Sequence, residues 1–536
     1  MKNGAEIIAD HLAMAGCKTA FGIPGGEVLA LVEALTKADI RFVLTKHENP
    51  AGFMAEGAWH ATGAPGVLVA TLGPGVANAV NTVANAYQDK VPLIFLTGRV
   101  DAAEAESYTH QVFDHQAVLR PIVKGSFCAA PGAVGIMIDK ALTLATEGQP
   151  GPVHVDVPIM VAENPSPEEA VVPSPPASPN APPDGAALDR AITALEKAAR
   201  PIAIAGVDAV NEQSGSAIEA FCTRYNIPLI TTYKGKGLID EAHPLVVGGA
   251  GLSPKADQIV LPLIKQADLV LLLGYDPIEM RIGWRNPWGA DTEVIEITPV
   301  PRDHGMHRVS QTFRSEITTT LAAFSKAQPR ANVWPDREAA VARTALNAAF
   351  TAPNAGFTPG HVFDTLRQVL PRDTVMTTDS GAHRILLSQK WNTHSPRTLL
   401  QSSALCTMGC AVPIAAGYKL CAPGKTVACV LGDAGLEMIL GELATLRDLE
   451  LPIIITVMVD ESLGLIELKQ RATGRPNAGV DFGGTDFPAV ATAMGGAGIW
   501  IDDTASLERE VTAALTRPTF TLLACRIGRQ AYDGAF

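Results

Sequence analysis

The stretch Val430–Gly464, VLGDAGLEMILGELATLRDLELPIIITVMVDESLG, contains the clearest strand and helix pattern of the chain. An apolar run ends in a glycine turn at Asp433, an amphipathic segment follows, and a second apolar run ends at Asp460. This order predicts a strand, a tight turn, a helix and a second strand, and the spacing of the two aspartates leaves room for one crossover helix. Because the carboxyl ends of neighbouring parallel strands lie at one edge of a sheet, both carboxylates are expected at the edge where ligands bind.

Two carboxylates beside a glycine turn and a helix N-terminus suit a Mg²⁺ ion that holds a diphosphate. The N–H groups of the turn would bind the remaining phosphate oxygens. A Gly-Asp turn alone is more often an ordinary turn and helix cap. The second carboxylate, Asp460, is followed by Ser462 and Gly464, and this combination favours the metal site.

Length and composition predict a soluble, multidomain protein. The 536 residues are too many for one core, so three domains are expected. The net charge of −13, without a cluster of Lys or Arg, argues against nucleic-acid binding. No apolar run approaches the roughly 18–20 residues that span a bilayer, and the N-terminus resembles an amphipathic helix more than a signal peptide. Eight cysteines without CxxC pairs favour free thiols in a reducing cytoplasm over a zinc site.

Strand and helix patterns alternate in three parts of the chain, residues 1–162, 185–326 and 358–536. This alternation predicts three doubly wound α/β units with parallel sheets. The proline-rich residues 163–184 predict an extended linker, and a second, weaker linker is expected at 327–357. The central unit lacks a GxGxxG run after its first strand, which argues against an NAD site.

The stretch Val430–Gly464 resembles the Mg²⁺–diphosphate signature of thiamine-diphosphate enzymes. In that family the second ligand is commonly Asn, and a backbone carbonyl two residues later completes the protein ligands. The resemblance therefore implies Asp433, Asp460 and the carbonyl of Ser462 as the metal ligands here. Aspartate at position 460 and the run AGVDFG at 478–483 resemble the catabolic acetolactate synthases.

Residues 46–57, KHENPAGFMAEG, followed by a Gly-Pro-Gly turn at 73–75 and by Asn78, resemble the pyrimidine-binding domain of the same family. The resemblance implies that Glu48 is catalytic and hydrogen-bonds N1′ of the aminopyrimidine. Without that context, a His-Glu pair at a helix start is more often a cap. The run YTHQVFD resembles a segment of acetolactate synthases that implies Gln111 as a second catalytic residue, reaching toward the reacting intermediate.

Further cofactor contacts follow from the resemblance alone. Met408 would lie under the cofactor and force it into a bent shape, although most methionines only fill a core. His383 would meet the diphosphate, although a capping or core histidine is nearly as plausible. The cofactor-binding residues that the resemblance implies are Gly25, Pro74, Gly75, Asn78, Gly381, His383, Met408, Gly432, Asp433, Ala434, Gly435, Asp460, Leu463 and Gly464.

The central unit carries GYDPIE at 274–279, which resembles the flavin-free catabolic synthases. Biosynthetic synthases have an arginine at the place of Asp276 and a pocket tryptophan at the place of Lys469. These departures leave the acceptor substrate open, and Arg281 and Arg285 form a hypothetical clamp for its carboxylate.

The resemblance implies decarboxylation of a 2-oxo acid, expected to be pyruvate, with carboligation to a second carbonyl as in acetolactate synthase. The alternative is a decarboxylase or carboligase with another donor or acceptor, and a non-catalytic cofactor-binding subunit is less favoured. Thiamine diphosphate and Mg²⁺ are the expected cofactors, and FAD is possible but not favoured. A homodimer or homotetramer with active sites across the subunit interface is expected, with no nucleic-acid or membrane partner.

Overall fold

The computed structural model describes residues 1–167, 181–301, 304–353 and 356–536. Within these residues lie three six-stranded sheets, and every paired strand in them is parallel. Helices flank each sheet, which explains why the strands read as nearly continuous apolar runs. The predicted α/β fold with three doubly wound units is confirmed.

The N-terminal sheet has the strand order β2-β1-β3-β4-β6-β5. Its strands are β1 (Thr19–Ile23), β2 (Arg41–Leu44), β3 (Gly66–Ala70), β4 (Leu93–Arg99), β5 (Gly125–Cys128) and β6 (Pro152–Pro158). The helices of this unit are α1 (Gly4–Met14), α2 (Leu29–Lys37), α3 (Glu48–Thr62), α4 (Pro74–Gln88), α5 (His115–Leu119), α6 (Val134–Thr146) and α7 (Ile159–Glu163).

The central sheet has a different order, β12-β11-β10-β7-β8-β9. Its strands are β7 (Pro201–Ala205), β8 (Leu229–Thr232), β9 (Val246–Ala250), β10 (Leu269–Leu273), β11 (Glu293–Thr298) and β12 (Gln311–Arg314). The helices are α8 (Gly185–Lys197), α9 (Val207–Asn211), α10 (Gly215–Tyr225), α11 (Pro254–Lys265) and α12 (Ile317–Phe324), followed by α13 (Glu338–Ala349).

The C-terminal sheet has the order β14-β13-β15-β16-β18-β17, which matches the N-terminal sheet strand for strand. Its strands are β13 (Val375–Thr378), β14 (Leu399–Gln401), β15 (Val427–Gly432), β16 (Ile454–Val459), β17 (Ala497–Ile501) and β18 (Thr521–Arg526). The helices are α14 (Pro359–Val369), α15 (Ala382–Lys390), α16 (Ala411–Cys421), α17 (Asp433–Glu437), α18 (Glu442–Asp448), α19 (Gly464–Ala472), α20 (Phe487–Ala493) and α21 (Thr504–Ala514).

The two expected linkers differ in outcome. Most of the proline-rich prediction falls on residues 168–180, which lie outside the described residues. The second segment, 327–357, is not a plain linker, because it contains helix α13. Ala342 and Leu346 are buried on one face of that helix, and the prolines that suggested a linker stand outside its two ends, where proline is tolerated.

The N-terminal and C-terminal units pack together through helices α3 and α16. A side chain at Gly57 would lie 2.1 Å from the carbonyl oxygen of Ile414, and one at Gly417 would lie 1.9 Å from the carbonyl oxygen of Met54. Each helix therefore places a glycine against the backbone of the other, and only glycine allows so close an approach. Helix α3 begins at Glu48, so this crossing fixes the position of the predicted catalytic acid. Among the described helices, none is both long and apolar enough to span a bilayer.

Candidate functional site

Asp433 and Asp460 directly follow β15 and β16, which are hydrogen-bonded neighbours. Both carboxylate oxygens of Asp433 accept backbone hydrogen bonds. Oδ1 accepts from Ala434 N at 2.8 Å, and Oδ2 accepts from the N–H groups of Asp460 and Glu461 at 3.1 and 2.7 Å. Asp433 is therefore fixed in place by its own helix start and by the neighbouring strand end.

The two carboxylates repel one another in a buried setting. Burial, followed by the charge of Asp433, raises the pKa of Asp460 to about 7. Burial also raises the pKa of Asp433, against the three backbone N–H groups that favour its charged form. A divalent cation between the two side chains would remove this repulsion, so the pair has the charge and the oxygen chemistry of a Mg²⁺ site.

An antiparallel bridge to residues 480–482 holds the loop that contains Ser462. The Ser462 hydroxyl donates to Asp481 Oδ1 at 3.1 Å, and an antiparallel bridge joins the two residues. The backbone hydrogen bonds of this bridge run from Leu463 N to Val480 O and from Phe482 N to Glu461 O. They do not use the carbonyl of Ser462, the predicted third ligand. The AGVDFG run singled out in the sequence is thus the element that supports the loop of Ser462.

One cavity of about 140 Å³ gathers every site residue that was predicted in the C-terminal unit. It lies at the carboxyl edge of the sheet, as parallel topology requires. The predicted residues that line it are Gly381, His383, Met408, Gly432, Asp433, Ala434, Gly435, Asp460, Ser462, Leu463 and Gly464.

Asp379 holds a lining residue of this cavity, His383, and was not assigned a role from the sequence. It follows β13 and is fully buried. Its Oδ1 pairs with His383 Nε2 at 2.7 Å, and its Oδ2 accepts from Gly409 N at 2.7 Å. A Cβ atom at position 435 would lie only 2.2 Å from Asp379 Oδ2, so this position has room for glycine but not for a larger residue. An acid directly after a buried strand was the available signal.

The predicted residues of the N-terminal unit form a second group. Glu48 is buried at the start of α3, and its Oε2 accepts a hydrogen bond from Asn78 Nδ2 at 2.9 Å. Gly75 lies against the other oxygen, because a side chain there would be 3.4 Å from Glu48 Oε1. Gln111 has a left-handed backbone conformation, with φ of 60°. Its carbonyl oxygen lies against Gly73, because a Cβ atom at position 73 would be only 2.3 Å from that oxygen.

Turns from the same sheet edge complete this group. Gly25 follows β1, and a side chain there would lie 2.3 Å from Thr71 Oγ1, just after β3. Pro74 opens α4 directly after Gly73, which has φ of 63°. These residues bring the Gly-Pro-Gly turn up to the start of α3.

A buried hydrogen-bond network supports that turn from behind. His115 Nε2 accepts from Gly73 N at 3.1 Å, and His115 Nδ1 pairs with Asp156 Oδ1 at 2.8 Å. His154 bonds to Thr97 at 2.8 Å through Nε2 and to Ser126 through Nδ1. The three residues His115, His154 and Asp156 have ligand atoms close enough for a metal. Both nitrogens of each ring are already hydrogen-bonded, so the geometry is that of a structural network.

The two groups do not share this cavity within one chain. The lining of the cavity comes from the C-terminal unit alone. The start of α3 is docked elsewhere on the same chain, because Glu442 of α18 accepts from the N–H groups of Lys46 and His47 at 2.9 and 3.1 Å. Glu442 is a second positioning residue that was not identified from the sequence.

The hypothetical arginine clamp lies away from the cavity. Arg281 donates to Asp257 Oδ2 at 3.1 Å, and Trp284 Nε1 donates to Oδ1 of the same carboxylate at 2.9 Å. Arg285 lines a different cavity, between the N-terminal and central units, together with Asp276. Neither arginine therefore lines the cavity that contains Asp433 and Asp460.

Family models match all three units. The N-terminal TPP binding domain of thiamine pyrophosphate enzymes matches residues 2–118, the central domain matches 188–324, and the C-terminal TPP binding domain matches 379–525. Among curated relatives, an acetolactate synthase large subunit of Parasynechococcus marenigrum is 29% identical over 98% of this chain and 88% of its own.

Two other relatives show the range of activities. A probable 2-ketoarginine decarboxylase of Pseudomonas aeruginosa is 31% identical over 96% of this chain and 92% of its own. An acetolactate synthase of Bacillus subtilis is 27% identical over 93% and 88%. The chain therefore belongs to the thiamine-diphosphate-dependent enzymes that act on 2-oxo acids by decarboxylation or carboligation, and it is acetolactate synthase-like.

Proposed function

We propose that the C-terminal cavity holds the diphosphate of thiamine diphosphate through a Mg²⁺ ion bound by Asp433, Asp460 and the Ser462 carbonyl. The single observation that carries this proposal is the meeting of both carboxylates and the glycine turn in one cavity at the sheet edge. The repulsion between the two buried acids gives the site a need for a cation. The first residues of α17 and α19 line the same cavity, and the positive ends of these helices favour phosphate oxygens there.

When bound, the cofactor supplies an electron sink for the pair that is released as a 2-oxo acid loses CO₂. The protein's own part is to bind, orient and protonate. Glu48 holds a proton at N1′ of the pyrimidine, and the hydrogen bond from Asn78 fixes its carboxyl orientation. Met408 stands in the cavity wall, where it limits the shape that a bound molecule can take. Gln111 is proposed to contact the substrate-derived group.

Acetolactate synthase-type ligation of two pyruvate molecules is the reaction we propose. Acetolactate synthases from several organisms match nearly the whole chain, which supports this choice. A second candidate, decarboxylation of a larger 2-oxo acid, is favoured by the 2-ketoarginine decarboxylase relative, whose identity is slightly higher.

Product analysis separates the two candidates. The purified chain is incubated with Mg²⁺, thiamine diphosphate and either pyruvate or 2-ketoarginine, and CO₂, acetolactate and aldehyde are measured. Acetolactate from pyruvate is the expected result. Aldehyde from 2-ketoarginine, with no product from pyruvate, would replace the proposal with the second candidate.

We also propose that the active site forms between two copies of the chain. Support comes from the separation of the Glu48 group from the cavity within one chain. Two variants, E48Q and D433A, each inactivate a different half of the site. If the site spans two subunits, mixing equal amounts of the two variants after mild dissociation gives hybrid dimers with one intact site each. About half of the dimers are then hybrids, so the mixture should recover about a quarter of wild-type activity. Wild-type protein taken through the same procedure is the control. No recovery from proven hybrids would place both halves in one chain.

A further inference from the structure

The last residues of the chain contribute a side chain to the cavity that the family-based assignment does not include. Tyr532 lines the cavity together with Asp433 and Asp460. Its side chain is buried, with 5% of the residue exposed. Its hydroxyl has no hydrogen-bond partner among the residues that the structure describes. A buried hydroxyl without a partner is uncommon and costs stability, so its presence calls for an explanation.

The segment around Tyr532 is anchored on both sides. On one side, Arg529 pairs with Asp481 at 2.8 Å, the same residue that supports the Ser462 loop. On the other side, Asp533 pairs with Arg471 of α19 at 2.6 Å.

A third contact joins this segment to the central unit, where Lys255 Nζ donates to the carbonyl of Gly534 at 3.0 Å. The neighbours of Tyr532 on either side therefore hold its side chain at the wall of the cavity. The anchors also connect the end of the chain to the loop that carries the third metal ligand.

The surroundings of the hydroxyl determine its chemistry. Asp433 and Asp460 line the same cavity as Tyr532, and the phenol O–H of a tyrosine is a hydrogen-bond donor. A donor needs an acceptor, and the carboxylates of Asp433 and Asp460 are not hydrogen-bonded to it. An anion that enters the cavity with a cation would supply the acceptor oxygens.

We propose that Tyr532 is a cofactor-binding residue whose hydroxyl donates a hydrogen bond to a phosphate oxygen of the bound diphosphate. This inference rests on the proposed placement of the diphosphate in the cavity. It assigns to the C-terminal segment, residues 527–536, the task of closing the site over the metal-bound end of the cofactor.

The test compares Tyr532→Phe with a matched control, Tyr225→Phe. Tyr225 is equally buried in the central unit, but its hydroxyl donates to Ala327 O at 2.9 Å. For each cofactor-free variant, thermal unfolding is recorded, and the Kd values for thiamine diphosphate and for pyrophosphate, both with Mg²⁺, are measured by calorimetry.

Y532F is expected to unfold no earlier than the wild type, because it loses no hydrogen bond in the free protein. Its Kd for both diphosphate ligands should rise about tenfold or more, as for a lost hydrogen bond to a charged group. Y225F should show the opposite pattern, with lower stability and unchanged Kd values.

An Asp433→Ala variant separates this inference from the proposed site. If D433A loses pyrophosphate binding while Y532F binds normally, the role of Tyr532 is refuted and the site stands. If both variants bind normally, the diphosphate lies elsewhere and the proposed site fails with the inference. If Y532F unfolds as early as Y225F does, its hydroxyl has a structural role and the inference is refuted.

Discussion

Substitution of Gly417 by alanine should push helices α3 and α16 apart where the N-terminal and C-terminal units meet. A methyl group at position 417 would lie 1.9 Å from the carbonyl oxygen of Met54 and 2.6 Å from its carbonyl carbon. Contacts below 3.0 Å essentially do not occur for such carbons, so the two helices must move apart by about 1 Å. The neighbouring atoms belong to a helix backbone and cannot rotate away. We therefore expect a loss of about 3 kcal/mol in unfolding free energy, the upper end for an overpacked core.

The same movement should affect the site. Helix α3 begins at Glu48, and α16 begins three residues after Met408, so a shift of the crossing displaces both predicted active-site residues. Displacements of this size lower turnover by up to about two orders of magnitude in enzymes that depend on positioning. Denaturant unfolding, the Kd for thiamine diphosphate with Mg²⁺ and the rate of CO₂ release from the substrate identified by product analysis are the measurements.

Gly424→Ala is the matched control. It lies just beyond the end of the same helix, and a methyl group there would meet no atom within 4 Å. This variant should retain wild-type stability and activity. If G417A unfolds at the same denaturant concentration as G424A and turns over substrate normally, the close helix crossing does not position the site and the reasoning is wrong.

Three further variants test the site and its surroundings. E48Q should still bind thiamine diphosphate in calorimetry but should lose about 10²–10⁴-fold in turnover, because glutamine cannot hold the proton at N1′; near-wild-type turnover would remove Glu48 from catalysis. D460A should need a much higher Mg²⁺ concentration for half-maximal cofactor binding, and an unchanged requirement would exclude it as a ligand. Burial raises the pKa of Glu56 to about 7, against the charge of Lys234 and a hydrogen bond from Asn85. The folded state therefore keeps a proton that the unfolded state loses near pH 4.5. The contribution of Glu56 to stability then falls as pH rises from about 4.5 to 7, by at most about 1.4 kcal/mol per unit, and is constant above that. E56Q should remove this part of the pH dependence, and unfolding curves at pH 5 and pH 8 that differ as much as those of the wild type would contradict it.

The sequence was most informative where chemistry and periodicity coincide. The stretch Val430–Gly464 and the residues just before it contain two apolar runs, each followed by an aspartate. The structure places the two corresponding strands, β15 and β16, side by side, with Asp433 and Asp460 at their ends. Local signals also identified the start of α3 at Glu48. The short strand pattern and the glycine turns were sufficient for these elements because each depends on a few neighbouring residues.

The residues that were missed depend on contacts between distant parts of the chain. Glu442 holds the N–H groups of residues 46 and 47, and Tyr532 reaches a cavity built around position 433. No local pattern marks either residue, because their roles are created by packing. Helix α13 was missed for another reason: nearby prolines suggested a linker, and only the buried Ala342 and Leu346 reveal the face that packs.

The matching strand orders of the first and third sheets explain how the chemistry is divided between two similar units. In each unit the third strand leads into a glycine turn: Gly-Pro-Gly at 73–75 after β3, and Gly-Asp-Ala-Gly at 432–435 after β15. Only the second turn carries a carboxylate, so only that unit can hold a cation there. Helices α3 and α16, which contact one another through glycines, each follow the second strand of their unit. One starts with the buried acid Glu48, whereas the other follows Met408. Under the proposed function, the same framework would present an acid for the ring of the cofactor in one unit and an anchor for its diphosphate in the other. A complete site requires one of each.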